Sequence, residues 1–170
     1  MFNLFIHWLY TQTLPTDATP ILRIAEEIVP ESVWTLILKS SVFGDRFLAP
    51  VFRRLAHNNF VDLHLTNTVG ARSGVAYSRI IWGFENLPAD SLLLAMMVDL
   101  QCTVWKVADD SKSEQDLMLK LPHEFLLKVM ATQSEFKQQS VTAAKLRACS
   151  YHLHETDEEK QACLLRSRRK

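Results

Sequence analysis

Apolar residues recur at helical spacing along most of the chain, beginning with its first residues. Phe2, Phe5, Ile6 and Leu9 stand at i, i+3, i+4 and i+7, which predicts one apolar helical stripe that ends at Thr13-Leu14-Pro15. A polar connector, Thr16 to Pro20, leads through Ile21, Leu22, Ile24 and Ile28 to Pro30, where a helix can begin with Glu31 in its first turn. Trp34, Ile37, Leu38 and Val42 continue its stripe. Pro50 lacks an N–H and clashes with a preceding helical turn, so that helix breaks near Phe47 and another starts at Pro50. Val51, Phe52, Leu55 and Ala56 form the expected buried face of this next helix, with Arg53, Arg54 and His57 pointing outward.

The stretch from Asn67 to Gly74 holds two of the four glycines and reads as a loop. A helix follows from about Val75, with Tyr77, Ile80, Ile81 and Phe84 on one face and a stop at Leu87-Pro88. Asp90 or Ser91 caps the next, whose stripe is Leu93, Met96, Met97 and Leu100 and which fades beyond Trp105. The charged run from Asp109 to Asp116 is predicted as a loop, and Pro122 opens a helix with Phe125, Leu126, Val129 and Met130 inside. From Gln133 the chain is polar and weakly periodic. It closes with an acidic cluster (Glu155, Asp157, Glu158, Glu159) and a basic one (Arg166, Arg168, Arg169, Lys170), a tail with some helix. The fold class is therefore mainly α, with about six to eight helices and at most a short strand near residues 11–14.

A length of 170 residues, of which 48% are hydrophobic, suits one domain with a core and supplies no membrane span. Nineteen basic side chains balance nineteen acidic ones, so the positive footprint of a nucleic-acid binder is missing and nucleic acid is not expected as the main partner. Three cysteines, Cys102, Cys149 and Cys163, and no Asn-x-Ser/Thr sequon point to a reducing compartment, cytoplasm or nucleus. The apolar start has no basic n-region and no cleavage site, which makes it a core helix rather than a signal. That helix has neither a cap residue nor a leader before it, a hint of missing upstream sequence.

Motifs for catalysis are missing. His123-Glu124 would need a second histidine at 127 to begin a zinc-protease helix, and Leu127 stands there. Gly70 to Gly74 has no following Lys-Ser/Thr, and no Gly-x-Ser-x-Gly occurs, so an enzyme is not expected. Cys149-x-x-His152-x-His154, followed by Cys163, supplies four ligands of the kind zinc prefers. Residues 152 and 154 face the same way only in an extended segment, after which Glu155-Thr156 can turn the chain so that Cys163 returns from a short helix. The alternative is a surface tail with ordinary histidines and no cofactor. The end, Arg166 to Lys170, reads either as a nuclear address or as a solvated terminus. Trp8, Trp34, Trp82 and Trp105 fall on or beside helical stripes and read as core residues.

Phe2-x-x-Phe5-x-x-Trp8-Leu9-Tyr10-Thr11 resembles the segment of BTB/POZ domains in which a helix beneath the central sheet leads to the next strand, with Gln12 in place of the usual glycine. Val42-Phe43-Gly44-Asp45-Arg46-Phe47, followed by Pro50 to Arg54, is similar to that family's paired helices, usually written Phe-Ala-Asp-Lys-Tyr and a short break. Ile81 to Leu94, Met97-Val98-Asp99 and Leu121 to Leu126 resemble the helical extension of fungal BTB/POZ proteins, as does the tail from Cys149 to Glu159.

The resemblance implies that residues 1–63 are the C-terminal part of a BTB/POZ-like domain, 64–137 a helical extension and 138–170 a polar tail, partly disordered. It also implies that the family's opening strands and helices have no counterpart here, so residue 1 falls in mid-domain. The family's roles are homo-oligomerisation, partner recruitment and, for some members, adaptor work for cullin-type ubiquitin ligases. Without the sheet, Phe2, Phe5, Ile6 and Trp8 lose their cover, at about 1.5–3 kcal/mol per large side chain left exposed. The chain must then repack, self-associate or be unstable, and an interaction module would self-associate through residues 2–10, with partner contacts along Trp34 to Arg54 that include Arg53 and Arg54. Three functions follow as expectations: a protein-interaction module acting through helical surfaces, a truncated or mis-started gene product, and a zinc-stabilised nuclear interaction protein.

Overall fold

The computed structural model describes residues 1–15, 18–25, 33–65, 74–106, 108, 110–139, 142 and 146–167. The expected helix start at Pro30, the loop over 67–73 and the basic residues Arg168 to Lys170 lie outside them. Among the described residues there are nine α-helices and no strand. The chain divides into two units, Met1–Thr66 with His152–Lys170, and Asn67–Tyr151.

The first unit is built from α1 (Phe2–Thr11), α2 (Ala18–Ala25), α3 (Val33–Arg46), α4 (Pro50–Leu65) and α9 (Asp157–Ser167). Its centre is the α3–α4 hairpin. Leu36, Ile37, Leu38 and Val42 of α3 are buried, as are Phe52, Ala56, Phe60 and Val61 of α4. The turn between the two helices is a Schellman motif. The Ala49 N–H donates to the Gly44 carbonyl (2.8 Å) and the Leu48 N–H to that of Asp45 (3.2 Å), with Leu48 left-handed at φ 52°. Pro50 then opens α4 at its first position, where no intrahelical N–H is needed.

Small residues let the helices approach closely, since Ser40, Ser41 and Gly44 are all buried on α3. A Cβ at Gly44 would stand 2.8 Å from the backbone nitrogen of Arg53 and 2.9 Å from its Cα, both on α4. Gly44→Ala is expected to destabilise the protein by about 1–2 kcal/mol, because overpacking outweighs alanine's better helix propensity. A urea-melt midpoint that rises for this variant would show the crossing to be looser than this.

The first helix is turned by one position from the predicted stripe: Leu4 and Trp8 are its buried residues, and Phe2 and Leu9 are exposed. The reason is an aromatic cluster waiting on the hairpin. Phe5 packs on Phe43, Phe52 and Trp8 with centroids 5.2–5.7 Å apart, and Trp8 on Phe52 at 5.4 Å. The short strand expected near 11–14 does not form. Thr11 ends α1, Gln12 caps it in the left-handed region at φ 56°, and its side-chain amide donates to the Leu9 carbonyl at 3.1 Å. His57, expected outside, is buried.

The second unit comprises α5 (Tyr77–Asn86), α6 (Leu92–Thr103), α7 (Lys112–Met118), α8 (His123–Gln139) and a 3-10 turn, Ala148–Ser150. Ser91 caps α6 by accepting the Leu93 N–H. Leu93, Met96, Met97 and Leu100 are fully buried, as their spacing predicts. The run from Asp109 to Asp116, expected as a loop, contains most of α7. This helix buries none of its own residues. It is fixed at its start by Ser111, whose hydroxyl accepts the Glu114 N–H at 3.3 Å, and by the Glu114 carboxylate, which accepts the Tyr77 N–H at the start of α5. Leu126 and Met130, expected inside, are exposed on α8, where Phe125 is buried.

Candidate metal centre

The end of the chain, expected as a tail, is fastened to α4 by three side chains spaced one turn apart. Arg54 binds two carboxylates, Glu155 and Glu159, each at 2.7 Å. Asn58 pairs in both directions with the backbone of Leu153, its amide donating to the carbonyl at 3.0 Å and its oxygen accepting the N–H at 2.8 Å. Asp62 lies 3.3 Å from His152 Nε2, close enough to face it but without a hydrogen bond to it. Residues at i, i+4 and i+8 share one helical face, so α4 presents a cation, an amide and an anion in a row.

Against that row the chain runs without regular secondary structure from His152 to His154, bends at Glu155-Thr156 and enters α9. The Thr156 hydroxyl accepts the Glu159 N–H at 3.1 Å, as an N-cap does, while the Glu155 N–H donates back to the Glu159 carboxylate at 2.8 Å. That backbone donor, helped by Arg54, holds the Glu159 carboxyl below its ordinary range.

Ligand atoms of Cys149, His154 and Cys163 lie within 4.8 Å of one another, with both cysteines buried. All three belong to one continuous stretch of chain, 149–163. His152, the fourth expected ligand, is outside that triangle, but its Nδ1 is 3.3 Å from Cys163 Sγ. His154 is pulled below the usual histidine range, first by partial burial and then by the neighbouring His152. No disulfide joins the cysteines.

No family model, curated protein or solved structure matches this chain. Its chemistry therefore has to be read from its own side chains.

The residues expected at a protein interface are placed differently from one another. Phe5 and Trp8 belong to the aromatic cluster, Trp8 only 8% exposed, so the apolar face of α1 is largely covered by α3 and α4 rather than bare. Ile6 is half-buried. Arg54 is committed to two carboxylates, and Arg53 pairs with Asp45 at 3.1 Å. Phe2 stays exposed, with Leu9 and Tyr10 beside it on the same helix.

An exposed corner that the sequence reading passed over lies at the α3–α4 turn. Phe47 and Leu48 are 64% and 88% exposed, and Val51 is exposed next to them. Phe47 stacks on Phe43 at 4.3 Å, and Phe43 on Phe5 at 5.3 Å, so a ladder of rings runs from the core to this corner. The one available signal was the leucine between Phe47 and Ala49, where a helix stop calls for glycine.

Among the described residues, no helix is long and apolar enough to cross a membrane.

Proposed function

We propose that this chain is a protein-interaction module, BTB/POZ-like in its helical part, that self-associates through apolar helical surfaces rather than acting as an enzyme. The observation that carries this reading is Leu48. A left-handed backbone costs a leucine about 1 kcal/mol that a glycine would not bear, and the side chain held there is almost wholly in water. An unfavourable conformation kept for an exposed apolar side chain points to a use outside the folded monomer. Phe47 and Val51 widen the patch, and the ring ladder ties it to the exposed side of α1. Zero net charge leaves no general repulsion to oppose the meeting of two copies.

The test is Leu48→Gly, which acts in opposite directions on folding and on association. Stability is expected to rise by about 1 kcal/mol, since glycine suits the left-handed position. Self-association, followed by sedimentation equilibrium, is expected to weaken because the central apolar side chain is gone. A wild-type protein that stays monomeric across the accessible concentrations would overturn the reading, as would unchanged association in the variant.

A further inference from the structure

We infer that Cys163 is a modification site, a thiol that hydrogen peroxide oxidises with His152 as its base and Asp62 as the group that positions the base. All three side chains belong to the first unit. His152 Nδ1 stands 3.3 Å from Cys163 Sγ, within reach of the thiol proton. At the other nitrogen of the ring, the Asp62 carboxylate faces Nε2 at 3.3 Å without a hydrogen bond to it. A nucleophile, a base in contact with it and a third group that fixes the base form the arrangement by which an ordinary thiol or hydroxyl is activated.

The carboxylate decides which nitrogen carries the proton of the neutral ring. Negative charge beside Nε2 favours the proton there, which leaves the lone pair on Nδ1, the nitrogen that meets the sulfur. The base is also placed by the helix that supplies the carboxylate, because Asn58, one turn before Asp62 on α4, pairs in both directions with the backbone of the adjoining Leu153. A second imidazole, His154, has a ring nitrogen within 4.8 Å of the same sulfur. The Cys102 thiol is the contrast within the chain: burial and then Asp99 push it up to about 11, which keeps it protonated and unreactive.

Cys163 is 8% exposed, which suits an oxidant hardly larger than water. The thiol proton passes to His152 Nδ1 and the thiolate sulfur attacks one peroxide oxygen. An S–O bond forms as the O–O bond breaks, and the departing hydroxide takes the proton back from His152 and leaves as water. Sulfur is oxidised to the sulfenic acid, peroxide is reduced, and a thiol reductant reverses the change. This inference stands apart from the self-association reading, since the three residues lie outside the Phe47–Val51 corner.

In the test, the reduced full chain is exposed to hydrogen peroxide near neutral pH with a chelator present, then denatured and alkylated. Peptide mass spectrometry reads the thiol that remains at each cysteine. Cys163 is expected to disappear about tenfold faster in the folded protein than in urea, and faster than Cys102. Burial alone would slow it on folding, so the direction of the change separates an activated thiol from a merely packed one. A dimedone adduct at Cys163 identifies the sulfenic acid. His152→Ala should slow the folded rate by about tenfold or more. Asp62→Asn, which keeps both the thiol and the base, should slow it several-fold and Asp62→Glu restore it, with the rate in urea unchanged in each variant. Loss of the wild-type Cys163 thiol no faster when folded than in urea would overturn the inference, as would a wild-type rate in folded His152→Ala.

Discussion

Phe52→Ala is expected to cost about 3–5 kcal/mol, the range for a large aromatic removed from a core that cannot collapse around the gap. Phe52 is fully buried, and its ring meets Phe5, Trp8 and Phe43 from three directions at 5.2, 5.4 and 6.4 Å. Those three rings come from two other helices, so the void is walled by separate elements. The loss should appear as a lower denaturant midpoint of the first unit, and ordinary domains have only about 5–15 kcal/mol in all. Trp8 gives an internal reporter, because its indole would lose its neighbour and its fluorescence should shift toward that of solvent-exposed tryptophan. A cost below about 1 kcal/mol would mean that α1 does not dock on the hairpin as described.

The second large effect is expected at Phe125, in the other unit. It is the buried residue of α8, 1% exposed, and it meets Phe84 of α5 edge to face at 5.5 Å. Phe125→Ala should also cost about 3–5 kcal/mol, but with a different pattern. α8 also packs along α6, but the polar and cation–π contacts seen on it are light: a Cys102 thiol donating to the Val129 carbonyl at 3.5 Å, Lys128 lying 5.7 Å over the Phe84 ring, and a lysine donor to the Ala89 carbonyl at 3.2 Å. Loss of the anchor should therefore free α8 before the rest opens. Hydrogen exchange should show amides of 126–139 losing protection while those of α6 keep theirs. Uniform loss across both helices would mean that α8 belongs to the same cooperative unit as α6.

Helices that bury a full stripe could be read from the sequence, and helices held by polar groups could not. Leu93, Met96, Met97 and Leu100 announced α6, and Ser91 marked its start. The α3–α4 break was equally plain because Pro50 dictates it. By contrast α7 buries nothing and depends on Ser111 and on a carboxylate partner, Tyr77 N–H, thirty-seven residues away. Nothing local in Asp109 to Asp116 records that partner. The rotation of α1 has a similar origin: its own period fits two neighbouring faces, and the rings of Phe43 and Phe52 choose between them. At the candidate site His152 Nδ1 and Cys163 Sγ meet at 3.3 Å, and the spacing could suggest that meeting because both residues lie in one short stretch. The carboxylate that faces His152, Asp62, sits ninety positions earlier on another helix, and pattern alone gives no reason to select it.

The row Arg54, Asn58, Asp62 also sets how this region can change in length. Each added or removed residue turns a helix by about 100° and shifts it by about 1.5 Å. A single insertion between 54 and 62 would leave every fastening chemically intact and yet aim one end of the row away from the other. Substitutions along α4 can be absorbed one contact at a time, whereas a reading frame kept by whole codons but lengthened by one would release the C-terminal segment at once. Natural variants of this chain should therefore differ in letters across 54–62 and agree in number.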